Sequence, residues 1–303
     1  MRILFSGFLD LREQGMCALQ VEPLHEEFGA TVRGIDLKQP LSESDLAEVR
    51  KLIDDYSFVY FPDQFADDDQ QLAVTRALGE PEPNHVTLGE TGRIEFFGTI
   101  GNVLADGSTR GNDDRRTRSQ TANNMWHSDS SFRRVPSYVS LMSAHIVPEE
   151  GGETIFASAR SAYNRLSDAE KAELEPLRVV HHYRFSRTKA GDDVLLKSHD
   201  ESLPPVEQKM VRVNPGNGRK NYYVGSHAKI VVGWEYEKSR ELIDGLLEKM
   251  TGPEHEYSHR WKAGDFVIWD NRCLLHRGAG YDADKYRRYM RQTRVTGVST
   301  LEE

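Results

Sequence analysis

The chain has 303 residues, of which 38% are hydrophobic and 29% are charged, a balance typical of a folded globular protein and not of a disordered one. Its 48 acidic residues outnumber its 39 basic residues, which gives a net charge of −9. This charge argues against a nucleic-acid partner, because sequence-independent affinity for nucleic acids comes from neutralising phosphates. No apolar run is long enough to cross a bilayer, so we expect no membrane partner either.

The two cysteines, Cys17 and Cys273, belong to no zinc-binding pattern and are too few for a disulfide scaffold. A reducing cytoplasm is therefore the expected compartment. The first apolar run is interrupted by charged residues and lacks the features of a signal peptide. We interpret residues 1–20 as an N-terminal extension and residues 21–303 as a single domain.

The first third of the domain reads as two strands, a helix, a strand and a second helix. In the first helix, over residues 42–56, Leu46, Val49 and Ile53 recur at helical spacing. The run "SFVYFP" is typical of a buried strand. The second helix is predicted over residues 68–78, where a glycine and then a proline end it.

Residues 84–122 have a different character, with few apolar positions and many glycines and charges. They predict two short strands and a long loop. Long loops inside compact domains are usually lids or binding loops, and a solvated surface excursion is the alternative. We expect a mobile loop near residues 102–120.

The remaining two thirds contain many short strands with helices in a few places. The predicted strands are "YVSLMSAHIV", "GGETIFAS", "RVVHHYRFSR", a hairpin of "MVRVNPG" with "NGRKNYYVG", and two closing strands in "HRWKAGDFVIWDNRCLLHRG" and "YRRYMRQTRVTG". The predicted helices are a short one after residue 160, "SDAEKAEL" and "EYEKSRELIDGLLEKMTG". This order favours a mainly β fold, a sandwich or barrel flanked by α-helices, over an alternating α/β fold.

Two polar residues in "NNMWHSDSSF" stand at the spacing of a metal site. His127 and Asp129 are two residues apart, so in an extended segment both side chains point the same way. His276, at the end of a strongly apolar strand, is the best further donor. Two imidazoles and one carboxylate on one face of an octahedron form the facial triad of non-haem Fe(II) oxygenases, which leaves coordination positions open.

Other interpretations of these residues stay open. A histidine and an aspartate at this spacing can be an ordinary hydrogen-bonded pair, which would make the chain a non-catalytic binding protein. A zinc hydrolase could use the same ligands. It would not explain the threonine and the arginines considered below.

The motifs "WHSDSSF", "GGETIF", "WDNRCLLHRG" and the arginine-rich strand after them resemble the taurine/2,4-dichlorophenoxyacetate dioxygenase family, in the family's order, over residues 21–297. The resemblance implies a double-stranded β-helix, or jelly-roll, core. It also implies that His127, Asp129 and His276 bind Fe(II), with 2-oxoglutarate and O2 as cosubstrates.

The resemblance further implies residues for the cosubstrate. Thr154 of "GGET" matches the family's threonine that binds a 2-oxoglutarate carboxylate. An ungapped match from the second histidine assigns the cosubstrate arginine to Arg287 and the substrate-anion arginine to Arg291. A one-residue insertion would select Arg288 instead and would leave Gln292 at the second position. Only one of two neighbouring residues can face inward on a strand, and the ungapped register is the one we expect.

Candidate substrate-binding residues follow from the same resemblance. Asn123 matches a substrate-contacting asparagine of the taurine enzyme. Ser186 and Arg187 of "FSR", with His227 of "VGSHA", look like the phenoxyacetate enzymes. His85 is a weaker candidate.

The function implied is hydroxylation of the carbon next to the ether oxygen of an aryloxyalkanoate, releasing a phenol, glyoxylate, succinate and CO2. The alternative is a taurine, alkylsulfonate or alkyl-sulfate dioxygenase with the same iron and cosubstrate. Family members commonly self-associate, so we expect a homo-oligomer.

Overall fold

The computed structural model of the chain describes residues 19–85, 93–189, 191 and 203–298. Of the N-terminal extension predicted over residues 1–20, all but the last two residues lie outside this described part, and so does Cys17.

The framework consists of one large sheet and three small ones. Seven strands form the large sheet in the order β1-β2-β3-β13-β5-β15-β4, while the small sheets have the orders β12-β6-β14, β11-β7-β8 and β10-β9. Among the described pairings, all are antiparallel except β2 with β3. The strands are β1 Gln20–Pro23, β2 Ala30–Arg33, β3 Phe58–Phe61, β4 Gly98–Gly101, β5 Ser137–Ile146, β6 Thr154–Ser158, β7 Arg178–His181, β8 Val206–Lys209, β9 Val211–Val213, β10 Lys220–Tyr222, β11 Ala228–Val231, β12 Glu256–His259, β13 Phe266–Asp270, β14 Leu274–Gly278 and β15 Tyr289–Thr296.

Both faces of the large sheet are covered by apolar side chains. Along β13, Val267 and Trp269 join a core cluster that includes Phe156 of β6, in the small sheet β12-β6-β14. Phe266 and Ile268 of the same strand join a second cluster with the first two helices. Successive side chains of a strand point to opposite faces, so a continuous apolar run is expected wherever both faces are buried. The fold is therefore layered, with helices outside the large sheet and the small sheet against its inner face.

Seven α-helices and one short 3₁₀ helix lie within the described residues. They are α1 Glu43–Tyr56, α2 Asp68–Leu78, α3 Arg115–Gln120, the 3₁₀ helix Thr121–Asn124, α4 Ala159–Arg165, α5 Asp168–Leu174, α6 Tyr183–Thr188 and α7 Tyr236–Met250. A third core cluster holds α4, α5 and α7 against the smaller sheets. No helix of this described part combines the length and the apolar character required to span a bilayer.

The predicted helices form where their capping residues indicate. Ser42 accepts a hydrogen bond from the backbone of Asp45 at the start of α1. At the start of α5, Ser167 and Glu170 form a reciprocal capping box. Such caps satisfy N–H groups that have no partner inside the helix. The predictions of α1, α2, α5 and α7, and of the β9-β10 hairpin, are confirmed.

Two predicted strands were wrong in part. The run "RVVHHYRFSR" is a strand only as far as His181, and Tyr183–Thr188 is helical because Tyr183 packs inward against Phe132. The predicted closing strand around "WDNRCLLHRG" is two strands in different sheets. The turn between them is held by Asp270, whose carboxylate accepts hydrogen bonds from the backbone and side chain of Arg272.

The loop predicted near residues 102–120 contains a helix. Asp114 caps α3 by accepting hydrogen bonds from the backbones of Arg116 and Thr117. Upstream, Asn112 donates hydrogen bonds to Asp282 and Asp284. The segment is thus tied to the 281–287 connection before β15, and its mobility stays a prediction.

Candidate active site

A two-residue backbone bridge brings the two histidines together. The His127 N–H donates to the carbonyl of His276 at 3.0 Å, and the His276 N–H donates back at 2.8 Å. The two rings lie with their centroids 4.2 Å apart. His127 and His276 are 149 positions apart in the sequence. They meet only because the sheet topology brings their two segments together.

The third ligand predicted from the sequence completes the group. Ligand atoms of His127, Asp129 and His276 all lie within 4.8 Å of one another. The Nε2 atom of His127 is 3.9 Å from Oδ1 of Asp129, and the Nε2 atom of His276 is 3.8 Å from Oδ2. The other nitrogen of His127, Nδ1, lies 2.8 Å from the carbonyl of Met125. This contact orients the ring, as is usual for a metal-bound histidine.

The protonation states of the three groups suit a divalent cation. Burial lowers the pKa of His127, and it lowers the pKa of His276 to about 3. Burial alone would raise the pKa of the Asp129 carboxyl, but the neighbouring His276 and Arg294 side chains and the hydrogen bond from Ser140 hold that pKa below its usual value. Two neutral imidazoles and one carboxylate form the donor set of non-haem Fe(II) sites. The residues therefore fit the implied metal.

A second layer of polar groups supports the carboxylate. Oδ2 of Asp129 accepts hydrogen bonds from Ser140 at 2.6 Å and from the side-chain amide of Gln292 at 2.9 Å. Asn271 of "WDN" donates to the Ser140 hydroxyl and accepts from the backbone N–H of Asp129. The side-chain oxygen of Asn271 also accepts a hydrogen bond from the indole N–H of Trp269.

The triad lies in a cavity of about 290 Å³. The 3₁₀ helix, α3 and the strands β5, β6, β14 and β15 contribute its walls. Its lining residues are Ile100, Asn112, Thr117, Gln120, Thr121, Asn123, Asn124, His127, Asp129, Met142, Gly152, Glu153, Thr154, His276, Gly278, Gly280, Tyr281, Arg288 and Gln292.

The arginine in this cavity is Arg288 and not Arg287. The Arg288 side chain is buried, donates to the carbonyl of Gly152 at 3.2 Å and has no partner for its Nε. Burial lowers its pKa to about 10. Arg287 is exposed and donates to the carbonyl of Gly107. The expectation for Arg287 was wrong, because Arg288 and not Arg287 lies on the cavity side of the chain before β15.

The same shift removes Arg291 from the site. Its guanidinium forms two hydrogen bonds to Asp68 of α2, at 2.9 and 2.5 Å, and a third to Thr99. Gln292 occupies the cavity position instead. The predicted contact of Arg291 with a substrate anion was therefore wrong, since a one-residue change of register turns every side chain of a strand to the opposite face.

Thr154 faces the cavity close to Arg288, as the sequence motif implied. The Thr154 hydroxyl oxygen accepts a hydrogen bond of 3.0 Å from the indole N–H of Trp261. A hydroxyl has one donor in addition to its acceptor positions. This contact leaves the Thr154 hydrogen available to a ligand carboxylate.

The remaining predicted residues divide into two groups. Asn123 lines the cavity, and its side-chain oxygen accepts from Arg187 at 3.2 Å. Ser186 donates to the carbonyl of Tyr183 within its own helix, so its predicted substrate contact was wrong. His227 lies behind His127, with ring centroids 6.3 Å apart, and outside the lining. His85 packs against Phe132 and does not line the cavity either.

Several supporting residues were missed at the sequence level. Hydrogen bonds hold the site residues in place, and they come from Ser140, Asn271, Trp261 and Gln292. Of these four, the sequence indicated only Gln292, as part of the alternative register. One signal was available for β15: Met290 is apolar and buried between the sheets, and strand alternation then turns the residues two positions before and after it inward.

Comparison with sequence profiles and known proteins identifies the family of the chain. The profile described as "Taurine catabolism dioxygenase TauD, TfdA family" matches residues 20–294. The chain belongs to this family. The alpha-ketoglutarate-dependent 2,4-dichlorophenoxyacetate dioxygenase of Cupriavidus pinatubonensis is 38% identical to it, over 89% of this chain and 96% of the relative. The (S)-phenoxypropionate/alpha-ketoglutarate-dioxygenase of Sphingobium herbicidovorans is 32% identical, over 92% of this chain and 96% of the relative.

A solved structure shows the same fold. The crystal structure of AAD-2 in complex with Mn(II) and N-oxalylglycine superposes with a TM-score of 0.84 at 35% identity, and the match covers 93% of this chain and 98% of AAD-2. The layered β fold is thus the jelly roll of TauD, TfdA dioxygenases. The expected fold class is confirmed.

Proposed function

We propose that this TauD, TfdA family member is an Fe(II)- and 2-oxoglutarate-dependent dioxygenase that hydroxylates aryloxyalkanoates such as 2,4-dichlorophenoxyacetate. The observation that carries the chemistry is the buried His127, Asp129 and His276 group in a cavity that also contains Arg288. The substrate class is supported by the two aryloxyalkanoate relatives, which are named for 2,4-dichlorophenoxyacetate and phenoxypropionate.

Arg288 and Thr154 would hold 2-oxoglutarate. The guanidinium of Arg288 is buried without an ion-pair partner among the described carboxylates, and its Nε lacks any hydrogen bond. A buried cation is stabilised chiefly by pairing with an anion, and a guanidinium offers a carboxylate two parallel donors. Thr154, oriented by Trp261, adds a neutral donor at the same wall. A dicarboxylate reaching from the metal to Arg288 satisfies both groups.

Asn123 and Arg187 would receive the substrate carboxylate. Apart from Arg288, the lining residues include no arginine or lysine, so an anionic substrate needs a cation behind the lining. Arg187 lies directly behind Asn123, with Nε buried and unpartnered. Asn123 lines the same cavity as His127 and Asp129, so the Arg187 guanidinium that bonds to Asn123 lies one side chain behind that cavity.

The residues of the chain then bind and orient, while the cofactor performs the oxidation. Bound Fe(II), with 2-oxoglutarate and O2, supplies the oxidising power that inserts one oxygen atom into a C–H bond as 2-oxoglutarate becomes succinate and CO2. Holding the carboxylate at Asn123 would direct the adjacent CH2 group toward the triad. Hydroxylation at that carbon gives a hemiacetal, which breaks down to a phenol and glyoxylate. Ile100 and Met142 offer apolar contact for the ring within the same cavity.

The test is succinate release by the purified protein with Fe(II), ascorbate, 2-oxoglutarate and O2. We expect 2,4-dichlorophenoxyacetate to stimulate release more than taurine or a medium-chain alkyl sulfate does. The His127→Ala variant should lose the stimulation. Stimulation by taurine or the alkyl sulfate alone would overturn the substrate class, and absence of iron-dependent turnover with every substrate would overturn the enzyme assignment.

A pair of variants on α6 tests the carboxylate position. Arg187→Met should raise KM for 2,4-dichlorophenoxyacetate about tenfold or more, because hydrogen bonds to charged groups contribute roughly 1.5–3 kcal/mol, and it should leave KM for 2-oxoglutarate unchanged. Arg184→Met, an exposed arginine on the same helix, is the matched control and should change neither. Equal effects of the two variants would contradict the assignment.

We also propose a cytoplasmic homo-oligomer. The large apolar side chains of Phe65 and Ile94 are 65% and 66% exposed, and such side chains are common at subunit contacts. The buried thiol of Cys273 has no disulfide, as expected in a reducing compartment. Light scattering coupled to size exclusion would measure the mass in solution, and a mass of 34.5 kDa would contradict the oligomer.

A further inference from the structure

Gln292 is a neutral residue on the cavity-facing side of β15. It lies on β15 between Met290 and Arg294, which are buried on the same face, and its side-chain amide donates to Oδ2 of Asp129 at 2.9 Å. It is also part of the cavity lining, and its side chain is 6% exposed. A neutral donor thus lies against the carboxylate of the metal site.

The two oxygens of the Asp129 carboxylate are not equivalent. Oδ2 accepts two hydrogen bonds, from Ser140 and Gln292, and these donors come from neighbouring strands of the large sheet. Oδ1 accepts none from the described residues. Each oxygen lies near one histidine, Oδ1 at 3.9 Å from Nε2 of His127 and Oδ2 at 3.8 Å from Nε2 of His276, so the hydrogen bonds are what distinguish them. A carboxylate oxygen that already accepts two good hydrogen bonds has less lone-pair capacity for a cation.

We propose that Gln292 is a positioning residue that, together with Ser140, occupies Oδ2 and so presents only Oδ1 of Asp129 to the metal. The inference rests on the proposed iron site. An octahedral ion held by two imidazoles and one carboxylate oxygen keeps three positions for other ligands. A carboxylate that bound through both oxygens would remove one of them.

The same geometry explains why a glutamine suits this position. Its amide nitrogen donates without bringing a charge, so it does not compete with a cation for Asp129. An arginine here would place a second positive charge next to the metal ligands, beside the buried Arg294. Arg294 itself donates to Glu82 at 3.0 Å and is thus already paired.

The experiment measures Mn(II) and Co(II) binding to the apoprotein in the absence of cosubstrate. Gln292→Met keeps the length of the side chain and removes the donor. We expect Mn(II), followed by electron paramagnetic resonance of the free ion, to bind about 10- to 100-fold more weakly, as for other residues that orient metal ligands. The visible absorption of bound Co(II) should change as well, because the coordination of the carboxylate changes.

A matched control separates this role from general destabilisation. Gln71 is a buried glutamine of α2 whose amide bridges the same two strands, at the carbonyls of Leu141 and Arg291, without contacting Asp129. Gln71→Ala should lower the melting temperature and leave Mn(II) affinity and the Co(II) spectrum as in the wild type.

Two other results would overturn the inference. Wild-type Mn(II) affinity and Co(II) spectrum in Gln292→Met would show that the amide does not position the carboxylate. An equal loss of affinity in Gln71→Ala would attribute the effect to the strands in general. Failure of the wild-type protein to bind Mn(II) would instead overturn the proposed iron site on which the inference depends.

Discussion

At the scale of single residues, one position in the chain separates the buried Arg288, the proposed cosubstrate ligand, from the exposed Arg287. Arg288, directly before β15, faces inward like Met290 and Gln292 of that strand, whereas Arg291 bonds to Asp68 on the outward face. The two neighbours Arg287 and Arg288 have the same chemistry. Only burial distinguishes them, and burial is decided by the register of β15 on β5.

Because only Arg288 is buried in the cavity, the same substitution should change KM for 2-oxoglutarate at Arg288 and not at Arg287. Arg288→Lys should raise KM for 2-oxoglutarate by about 10- to 100-fold, because a lysine cannot form the paired hydrogen bonds of a guanidinium and such bonds to charged groups contribute ~1.5–3 kcal/mol. Arg287→Lys is the control and should leave KM unchanged. Steady-state kinetics with varied 2-oxoglutarate measure both, and a larger effect at Arg287 would restore the ungapped register.

At the scale of elements, the segment before α3 is held to the connection that precedes β15. Asn102 is fully buried, and its amide donates to the carbonyls of Ala283 and Tyr286. Its side-chain oxygen accepts from the backbone N–H of Arg288 at 2.9 Å. One asparagine therefore connects this segment to the backbone of Arg288, the proposed cosubstrate ligand.

We expect Asn102→Ala to affect both stability and cosubstrate binding. Buried groups left without partners cost about 1–3 kcal/mol, so the free energy of unfolding in urea should fall by that amount. KM for 2-oxoglutarate should rise, because the Arg288 backbone loses its acceptor. Asn221→Ala is the control: Asn221 is buried and donates to the carbonyl of Arg272, and it should lower stability without changing KM. An equal rise of KM in Asn102→Ala and Asn221→Ala would contradict the proposed link between Asn102 and cosubstrate binding.

At the scale of the whole molecule, the three proposed metal ligands come from both layers of the fold. His276 belongs to β14 of a small sheet, whereas Asp129 is hydrogen-bonded to Ser140 and Gln292 of the large sheet. Before a metal binds, the layers are held by the apolar cluster between them. A bound cation would add a direct link between the two sheets.

Metal binding should therefore raise the melting temperature. A ligand that binds only the folded state at 100 times its Kd stabilises by about 2.7 kcal/mol, which for a chain of this size corresponds to a rise of several degrees. Differential scanning calorimetry with Mn(II) in place of Fe(II) measures the rise. It should disappear in His276→Ala, and a metal-induced rise that persists in this variant would place the cation elsewhere.

Much of the fold and of the metal site could be predicted from local patterns. Caps and apolar periodicity located α1, α2 and α5, since these signals act within a few residues. The spacing of His127 and Asp129 indicated a shared ligand direction for the same reason. Tyr183–Thr188 was misassigned because its helix depends on packing against Phe132, which is remote in the sequence.

The sequence by itself indicated a candidate donor set for a metal, the resemblance to the family and the mainly β architecture, because these follow from residue types, the order of motifs and short-range periodicity. Only the tertiary structure decided that Arg288 enters the cavity, that Arg291 is held by Asp68 and that Gln292 bonds to Asp129. The physical reason is that a strand's register depends on the strands beside it. A shift of one residue leaves the local pattern almost unchanged and reverses the face that every side chain occupies.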